Sequence, residues 1–521
     1  MAITLSNDVV TDNYFPILVC LVAIISFHTI LRKFLAHGRS PSLPPSPIAL
    51  PIIGHLHLIG PVLHICFQDL SLRYGPLMRL CMGASTCVVA SNTAVAREIF
   101  KTQELNFLSR PEFGSSEFFI YRGSRFIMAP YGDYWRFMKK LCMTRLLAVP
   151  QLEKSVDIRA EEVVKLVESV RTSVRDGGAA DMSRELTRYT NNVISRMAMS
   201  CRCSGSENEA DEIKELVKTC LSLAGKLSMG DVLGPWLRKL DFSGNGKKLF
   251  STLVKYDNLI EKIIEEHERK AADGFVPESK KDLMDILLEI FKDPSAEPRI
   301  SRNDLKSFLL DLFMAGTDTT STAMQWAMGE LINNPMVLQK LRDEIVSTIG
   351  SGRLVNEKDV ENLPYLRAVI KETMRLHPSA PLIIRECGED CLVNGYLVKS
   401  KTRVLVNVYS VMRDPAEWKD PDEFVPERFL DGSLDGIGEH QMEYKGQNFR
   451  YLPFGSGRMG CAGATMAMLV MHAAVGSLVQ CFDWRVVGAV DLRQGPGFSP
   501  KMATPLVCYP TVRVDPLNKT N

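Results

Sequence analysis

The most informative stretch of this 521-residue chain reads PFGSGRMGCAG over residues 453–463. Its four glycines in nine residues allow positive φ angles and a close approach of the backbone to a flat or bulky group. Its only cysteine, Cys461, precedes a predicted helix, and a helix dipole favours the thiolate that nucleophiles and metal ligands need. Most cysteines are buried small apolar residues. The glycine-rich turn favours a reactive or metal-binding Cys461 instead.

The run behind this turn, residues 464–482, contains no Asp, Glu, Lys or Arg. A membrane span would have a similar composition and length. However, the run includes His472, Ser477 and Gln480 together with small residues. We therefore predict a buried core helix.

The longest helical pattern begins at Ser301, which forms a predicted capping box with Asp304, and ends before Pro335. About 30 residues in one helix would span about 45 Å. The centre, AGTDTT at residues 315–320, is poor helix-forming sequence, because glycine costs about 1 kcal/mol and threonine hydroxyls compete for the backbone. A weak segment inside a strong helix indicates a functional site. A tolerated surface kink is the alternative.

A second helix is predicted from Asn362, as the N-cap, to the residue before Pro378. Glu372 and Arg375 are three residues apart on it and can pair. Such a pair alone says little, since surface ion pairs are common and weak.

The N-terminus contains an 18-residue stretch without charge, residues 14–31, followed by Arg32 and Lys33. The basic flank favours the cytosolic side, so we expect an uncleaved signal anchor; a cleaved signal peptide would carry its charges on the other flank. The predicted organisation is a lumenal segment 1–13, a transmembrane anchor 14–31, a basic and proline-rich hinge 32–59, and one large cytosolic domain 60–521.

Composition excludes several classes of protein. With 62 basic and 61 acidic side chains, the charge of +1 argues against nucleic acid as a partner. The apolar fraction of 45% and charged fraction of 24% argue against disorder and a multi-span membrane bundle. Thirteen irregularly spaced cysteines indicate a reduced compartment. Helical patterns outnumber strand patterns such as residues 87–90 and 403–408, so the fold class is mainly α with small β-sheets.

Taken together, the cysteine turn, the AGTDTT segment and the helix with Glu372 and Arg375 resemble the cytochrome P450 family of haem-thiolate monooxygenases over nearly the whole chain. The resemblance implies the P450 fold and a haem b cofactor with Cys461 as the axial iron ligand. Electron donation from that thiolate favours O–O cleavage. Asp318 and Thr319 match the positions at which the family handles protons for bound oxygen.

Further residues follow from the same resemblance. Glu372, Arg375 and Arg428 match a buried structural triad. The cofactor-binding set implied for the haem comprises Trp135, Lys139, Arg385, Arg458 and Cys461, with the Arg458 side chain expected to point away from the propionates.

This sequence departs from the family pattern at the turn. Met459 stands where the family has an arginine, Ala462 replaces a frequent proline, and Lys139 replaces a commoner arginine. Lysine keeps the charge but lacks the bidentate fork. We therefore expect the iron ligand to be retained and haem to be bound more weakly.

The resemblance also implies partners and location. These are an NADPH-dependent flavoprotein reductase as electron donor, cytochrome b5 as an optional second donor, a lipophilic small-molecule substrate, and the endoplasmic reticulum membrane, crossed once with the catalytic domain in the cytosol. Nucleic acid is not expected.

Residues 362–378 and 406–415 resemble the plant microsomal branch, and within it groups that oxidise triterpenoid and flavonoid skeletons. The pocket is expected from segments 112–128, 221–235, 308–319, 379–384 and 496–502, which contain Phe113, Phe118, Phe119, Phe126, Leu221, Leu227, Leu310, Met314, Ala380, Leu382, Ile383 and Phe498. An apolar pocket with few charges suits a polycyclic terpenoid or phenolic. We favour a triterpenoid, with a flavonoid as the alternative.

Two other classes of function stay open. One is a haem-thiolate isomerase or dehydratase that needs neither oxygen nor reductase, against which the Asp318 and Thr319 pair argues. The other is a non-catalytic haem-binding or lipid-binding membrane protein.

Overall fold

The computed structural model describes most of the chain from residue 42 to residue 518. Residues outside the description are 1–41, 122–124, 203–208, 225–228, 235–236, 238, 242, 275–276, 278–280, 296, 431–445, 498 and 519–521. The predicted lumenal segment, the transmembrane anchor 14–31 and the first part of the hinge therefore lie outside the described residues.

The described chain is mainly helical, as predicted, with three small sheets. The α-helices are α1 Leu63–Tyr74, α2 Thr93–Arg97, α3 Asp133–Leu141, α4 Val149–Lys154, α5 Val156–Arg175, α6 Met182–Met199, α7 Glu209–Ala224, α8 Met229–Leu233, α9 Asn245–Asp273, α10 Leu283–Lys292, α11 Arg302–Gly316, α12 Asp318–Asn333, α13 Pro335–Ile349, α14 Pro364–Leu376, α15 Val408–Val411 and α16 Ala464–Cys481. The strands are β1 Leu77–Met82, β2 Ser85–Ala90, β3 Ala180–Asp181, β4 Leu382–Glu386, β5 Cys391–Val393, β6 Tyr396–Val398, β7 Arg403–Asn407, β8 Phe482–Arg485 and β9 Val507–Val512. Short 3-10 or π turns span Leu56–Leu58, Glu98–Thr102, Glu104–Phe107, Gly114–Phe118, Cys142–Leu146, Glu357–Asn362 and Pro426–Phe429.

The largest sheet has the strand order β1-β2-β7-β4. Strands β1 and β2 form an antiparallel hairpin, β2 and β7 are parallel, and β7 and β4 are antiparallel. The other sheets are β3-β9-β8 and the hairpin β5-β6. The predicted strand patterns at residues 87–90 and 403–408 correspond to β2 and β7.

The end of the predicted hinge packs against this sheet. The Arg79 amide donates to the Pro45 carbonyl at 2.8 Å, and the His55 amide donates to the Cys81 carbonyl at 2.7 Å. His55 is buried, and its imidazole contacts the Pro47 carbonyl at 3.0 Å. The last part of the predicted hinge, from Pro45 to His55, is therefore in contact with the globular domain.

Helix α16 is the core helix that the sequence predicted. Among the described residues it is the one helix long and apolar enough to cross a membrane, and 83% of it is buried within the protein. Two of its polar side chains bond to the backbone of a neighbouring segment: Ser477 donates to the Val355 carbonyl, and Gln480 accepts from the Val355 amide and donates to the Gly350 and Arg353 carbonyls. Burial together with these bonds accounts for an uncharged helix that is rich in alanine, methionine and valine.

The long central helix begins as predicted but is not continuous. Ser301 and Asp304 form the predicted capping box. Helix α11 ends at Gly316 and α12 begins at Asp318, so the break falls at Thr317 within the weak segment. A Cβ on Gly316 would lie 2.8 Å from Cδ1 of Ile194, so glycine lets this break lie close to α6.

The predicted N-cap of α14 is wrong. The helix begins at Pro364, and its N-cap residue Leu363 provides no side-chain bond. The carboxylate of Glu344 accepts instead from the amides of Tyr365 and Leu366, at 2.6 and 2.9 Å. A carboxylate from α13 thus satisfies the free N–H groups that Asn362 was expected to cap.

We expect Gln480→Met to lower the free energy of unfolding by about 2 kcal/mol or more, since each buried group left unsatisfied costs roughly 1–3 kcal/mol. Methionine keeps the volume but removes the bonds to three backbone groups. The control is Gln339→Met, because Gln339 is exposed and bonds only to Asp343 in its own helix. Chemical denaturation measures both variants, and equal losses would contradict the structural role of Gln480.

Candidate active site

The cysteine turn folds back on itself through backbone bonds. The Cys461 amide donates to the Phe454 carbonyl at 3.0 Å, and the Gly460 amide donates to the Gly457 carbonyl at 3.0 Å. Gly457 has φ +69°, and a Cβ there would lie 2.3 Å from Oε1 of Glu104. The turn therefore requires glycine at this position, and it delivers Cys461 just before α16.

Opposing effects act on the Cys461 thiol. Burial raises its pKa, whereas the amides of Gly463 and Ala464 and the cations of Lys139 and Arg110 act in the opposite direction. Cys461 is an exposed residue by its accessible surface, yet desolvation by the surrounding protein is the largest effect on its thiol. A bound metal would add a positive charge and deprotonate the thiol.

Three cations lie close to this cysteine turn. Arg110 and Arg385 are neighbours because the Glu386 amide pairs with the Ser109 carbonyl at 2.8 Å. Burial and repulsion from Arg110 lower the pKa of Arg385 to about 9. Burial also lowers the pKa of Arg110 and of Lys139, which donates to the carbonyl of the residue before Cys461.

Among the described residues these cations form no ion pair with a carboxylate, although Asp311 is within electrostatic reach of Arg110 and Glu104 within reach of Arg385. The Nε atom of Arg110 is buried without a hydrogen bond. Arg385 donates to the carbonyl of its own neighbour Ile384 and faces the ring of Phe100. Neither arginine forms an ion pair with a described carboxylate. Buried charges of one sign call for an acidic ligand.

Met459 and Arg458 point to different places. Met459 is buried in an apolar cluster with Trp135, Leu108 and Ala129. The guanidinium of Arg458 is half-exposed and pairs with Glu104, whose carboxylate also accepts from the Arg458 amide at 2.7 Å. The cation of this turn is thus directed to the surface.

The helix break brings Asp318 and Thr319 next to an accessible stretch of helix. The Thr319 hydroxyl donates to the Ala315 carbonyl at 2.6 Å, and the Ser379 hydroxyl donates to the Thr319 carbonyl at 2.8 Å. Ala315 is exposed in the middle of the helix pair. The Asp318 carboxylate lies 3.0 Å from the Lys501 ammonium.

The pocket segments contain a buried ion pair that the sequence prediction missed. Arg125 lies 3.1 Å from Asp311, whose other oxygen accepts from the Ile127 amide at 2.9 Å. The Arg125 guanidinium also stacks over the Phe119 ring at 4.2 Å. The segments expected to form an apolar pocket with few charges therefore contain one charged pair, whose two charges neutralise each other.

The residues matched to the structural triad meet in the interior. Arg375 donates two bonds to Glu372, at 2.7 and 2.9 Å, and Arg428 donates to the same carboxylate at 3.1 Å. All three side chains are buried. The remaining arginine donors bond to the backbone carbonyls of Met412, Lys419, Asp420, Pro421 and Glu423.

Comparison with known proteins identifies the fold and the chemistry. The family model described as "Cytochrome P450" matches residues 44–503. The chain belongs to the cytochrome P450 family. Soybean 3,9-dihydroxypterocarpan 6A-monooxygenase is 40% identical, over 96% of this chain and 99% of that protein. Soybean beta-amyrin 24-hydroxylase is also 40% identical, over 94% and 96%. A zebra fish cytochrome P450 solved with progesterone has the same fold, with TM-score 0.71 and 23% identity over 86% of this chain and 99% of that one.

As a member of the P450 family, the protein is a monooxygenase with haem b, and its electrons come from NADPH through a reductase. The residues around Cys461 fit such a cofactor. A soft sulfur ligand lies within electrostatic reach of Arg110 and Lys139, and Arg110 repels Arg385. Haem offers an iron for the sulfur and two propionates for the cations.

Sequence reasoning named Cys461, Lys139 and Arg385 for the cofactor, but it did not name Arg110, Lys501 or the pair of Arg125 with Asp311. Arg110 stands in an ordinary loop sequence, Ser109-Arg110-Pro111, with no local signal. Its position results from the pairing of Ser109 with Glu386 of β4. A pairing between residues so far apart in the chain cannot be recognised in a single sequence.

We expect Arg110→Gln to release haem to apomyoglobin about tenfold faster than the unaltered P450. A hydrogen bond to a charged group contributes roughly 1.5–3 kcal/mol, and about 1.4 kcal/mol corresponds to tenfold. Arg458→Gln is the matched control, because its guanidinium pairs with Glu104 at the surface. Haem loss is followed by absorbance, and equal rates for both variants would remove Arg110 from the cofactor site.

Proposed function

We propose that the protein is a membrane-bound P450 that hydroxylates a lipophilic plant metabolite, and that Cys461 would bind the haem iron through its thiolate. The observation that carries this proposal is the position of Cys461 beside α16, within electrostatic reach of the half-buried cations of Arg110 and Lys139, with the buried Arg385 next to Arg110. When bound, haem supplies oxygen activation, which electron donation from a thiolate favours. The amides of Gly463 and Ala464 stabilise that thiolate.

The acid–base work falls to Asp318 and Thr319. The carboxylate can exchange protons with solvent, since Asp318 is partly exposed. The Thr319 hydroxyl, now donating to the Ala315 carbonyl, can pass a proton onward when it turns away from that carbonyl. Positioned groups of this kind speed proton transfer by about 10²–10⁴-fold.

The other site residues either bind the cofactor or stabilise the fold around it. Arg110, Arg385 and Lys139 would meet the propionates, and Trp135 would border the haem beside Met459. Arg458, which faces Glu104, contributes to the turn itself rather than to the propionates. The triad of Glu372, Arg375 and Arg428 supports this arrangement from the interior.

The proposed location is the endoplasmic reticulum membrane, with residues 14–31 as a single-pass anchor and the catalytic domain in the cytosol. The basic residues after this stretch favour that orientation. An NADPH-dependent flavoprotein reductase, with cytochrome b5 as an optional second donor, would supply electrons from the same side.

A triterpenoid is the proposed substrate class. The Asp311 carboxylate pairs with Arg125 and accepts a bond from the Ile127 amide, and the Phe119 ring covers the Arg125 guanidinium. This part of the pocket therefore has few polar groups left for a substrate. A large hydrocarbon skeleton with one or two hydroxyls suits such a site. The likeness to a beta-amyrin 24-hydroxylase supports the same class.

A flavonoid-type phenolic is the second candidate. Phe126 packs against both Phe308 and Trp135, with ring centroids 6.2 and 6.0 Å apart, and flat aromatic substrates stack on such faces. The likeness to a monooxygenase of 3,9-dihydroxypterocarpan supports this class.

Microsomes containing the full-length chain and a plant reductase, supplied with NADPH and a mixture of triterpenes and flavonoids, test the proposal. We expect β-amyrin or a related triterpene to gain one oxygen atom, as read by mass spectrometry. Oxidation of flavonoids alone would select the second candidate. Products that form without NADPH would establish an isomerase or dehydratase instead.

A carbon monoxide difference spectrum of the reduced protein tests the iron ligand separately. We expect the Soret band of a thiolate haem, and we expect Cys461→Ala to abolish it. Cys66→Ala, at a cysteine that only accepts a bond from the Gly60 amide, is the matched control and should keep the band. A well-folded protein without this band would overturn the proposal.

A further inference from the structure

We propose that Lys501 is a positioning residue for Asp318, and that it controls how efficiently protons reach the site of oxygen reduction. The Lys501 Nζ atom lies 3.0 Å from Oδ2 of Asp318, although the two residues are 183 positions apart in sequence. This inference rests on the proposed role of Asp318 and extends it to a residue outside the family's motifs.

The backbone of Lys501 is fixed by contacts on both sides. The Gly495 amide donates to the Lys501 carbonyl at 2.8 Å, and the Ala503 amide donates to the Arg493 carbonyl at 2.8 Å. Gln494 and Met502 form an isolated antiparallel bridge. Residues 493–495 and 501–503 therefore pair as a short hairpin, so Lys501 does not belong to a free loop.

This hairpin is attached to the helix that begins with Asp318. The indole Nε1 of Trp326 donates to the Pro500 carbonyl at 3.1 Å in the interior. Met502 is buried, and a Cβ on Gly329 would lie 2.5 Å from its terminal methyl carbon. Trp326 and Gly329 both belong to α12, so the lysine and the carboxylate are held on one rigid unit.

Lys501 is the one cation in contact with Asp318 among the residues that the structure describes. The Asp318 side chain is 25% exposed and that of Lys501 is 46% exposed. An isolated surface pair with this exposure would contribute little to stability. Here, however, the partner of the lysine is the proposed proton carrier, so the contact sets the orientation of that carboxylate.

Two outcomes compete for the electrons that NADPH supplies. Productive turnover is NADPH + H⁺ + O₂ + RH → NADP⁺ + ROH + H₂O, whereas unproductive turnover is NADPH + H⁺ + O₂ → NADP⁺ + H₂O₂. Both consume two electrons and the same protons, so the position to which protons are delivered decides between them. A carboxylate released from Lys501 would deliver protons less selectively, and more hydrogen peroxide would form.

The test compares Lys501→Met, Lys501→Arg and a control, Lys340→Met, in the full-length haem-loaded protein with reductase. Lys340 forms a similar exposed pair with Glu427 away from the active site, at 2.6 Å. We expect Lys501→Met to raise the ratio of peroxide to product roughly three- to tenfold, less than the ~10²–10⁴-fold effect of losing a proton-transfer group. Lys501→Arg should restore the ratio, and Lys340→Met should leave it unchanged.

One further measurement separates positioning from a merely structural effect. The thermal shifts of Lys501→Met and Asp318→Asn should be non-additive, which reports the contact without any turnover.

The outcomes are distinguishable from failure of the proposed function. If the unaltered protein gives no oxygenated product, the proposed function fails, whatever Lys501 does. If it gives product, and Lys501→Met keeps the carbon monoxide spectrum and the ratio of peroxide to product of the unaltered protein, the inference about Lys501 is overturned.

Discussion

The buried carboxylate of Glu372 holds two guanidinium groups, those of Arg375 and Arg428, away from solvent. Removing one member of such a network leaves an uncompensated buried charge, whereas the intact set satisfies every partner. Arg375 also donates to the Met412 carbonyl, and the Met412 sulfur accepts from the Leu452 amide at 3.3 Å. The network thereby links α14 to the residues that lead into the cysteine turn. The position of the Cys461 sulfur depends on this link.

The site combines an electron-rich sulfur with an excess of positive charge. Arg110 and Lys139 favour the thiolate of Cys461 against its burial. Met459 leaves the turn one cation short of the family pattern, and Arg458 is directed to Glu104. The remaining cations come from other segments, a loop, a helix and a strand, so cofactor binding in this chain depends on tertiary contacts more than on the turn.

The features that local sequence could predict are those fixed by local physics. A capping box at Ser301, an uncharged helix after Cys461 and a weak centre at residues 315–320 each have a cause within a few residues. Such patterns, with the resemblance they establish, were enough for the mainly helical fold and for the position of Cys461.

The features that sequence missed come from distant partners. Asn362 loses its capping role because Glu344 approaches from α13. Arg110 gains its role from strand pairing, and Lys501 reaches Asp318 only because a hairpin packs on Trp326. These contacts cannot be predicted from a single sequence, because each joins residues that are distant in the chain and come together only in the complete fold.

The three cations near Cys461 also bear on how the protein matures. Until a ligand with acidic groups arrives, they repel one another in the interior and weaken the folded state. A ligand that binds only the folded chain stabilises it by RT ln(1 + [L]/Kd). The amount of folded enzyme in a cell would therefore follow the supply of free haem, and chains made during haem shortage would be the first to be degraded.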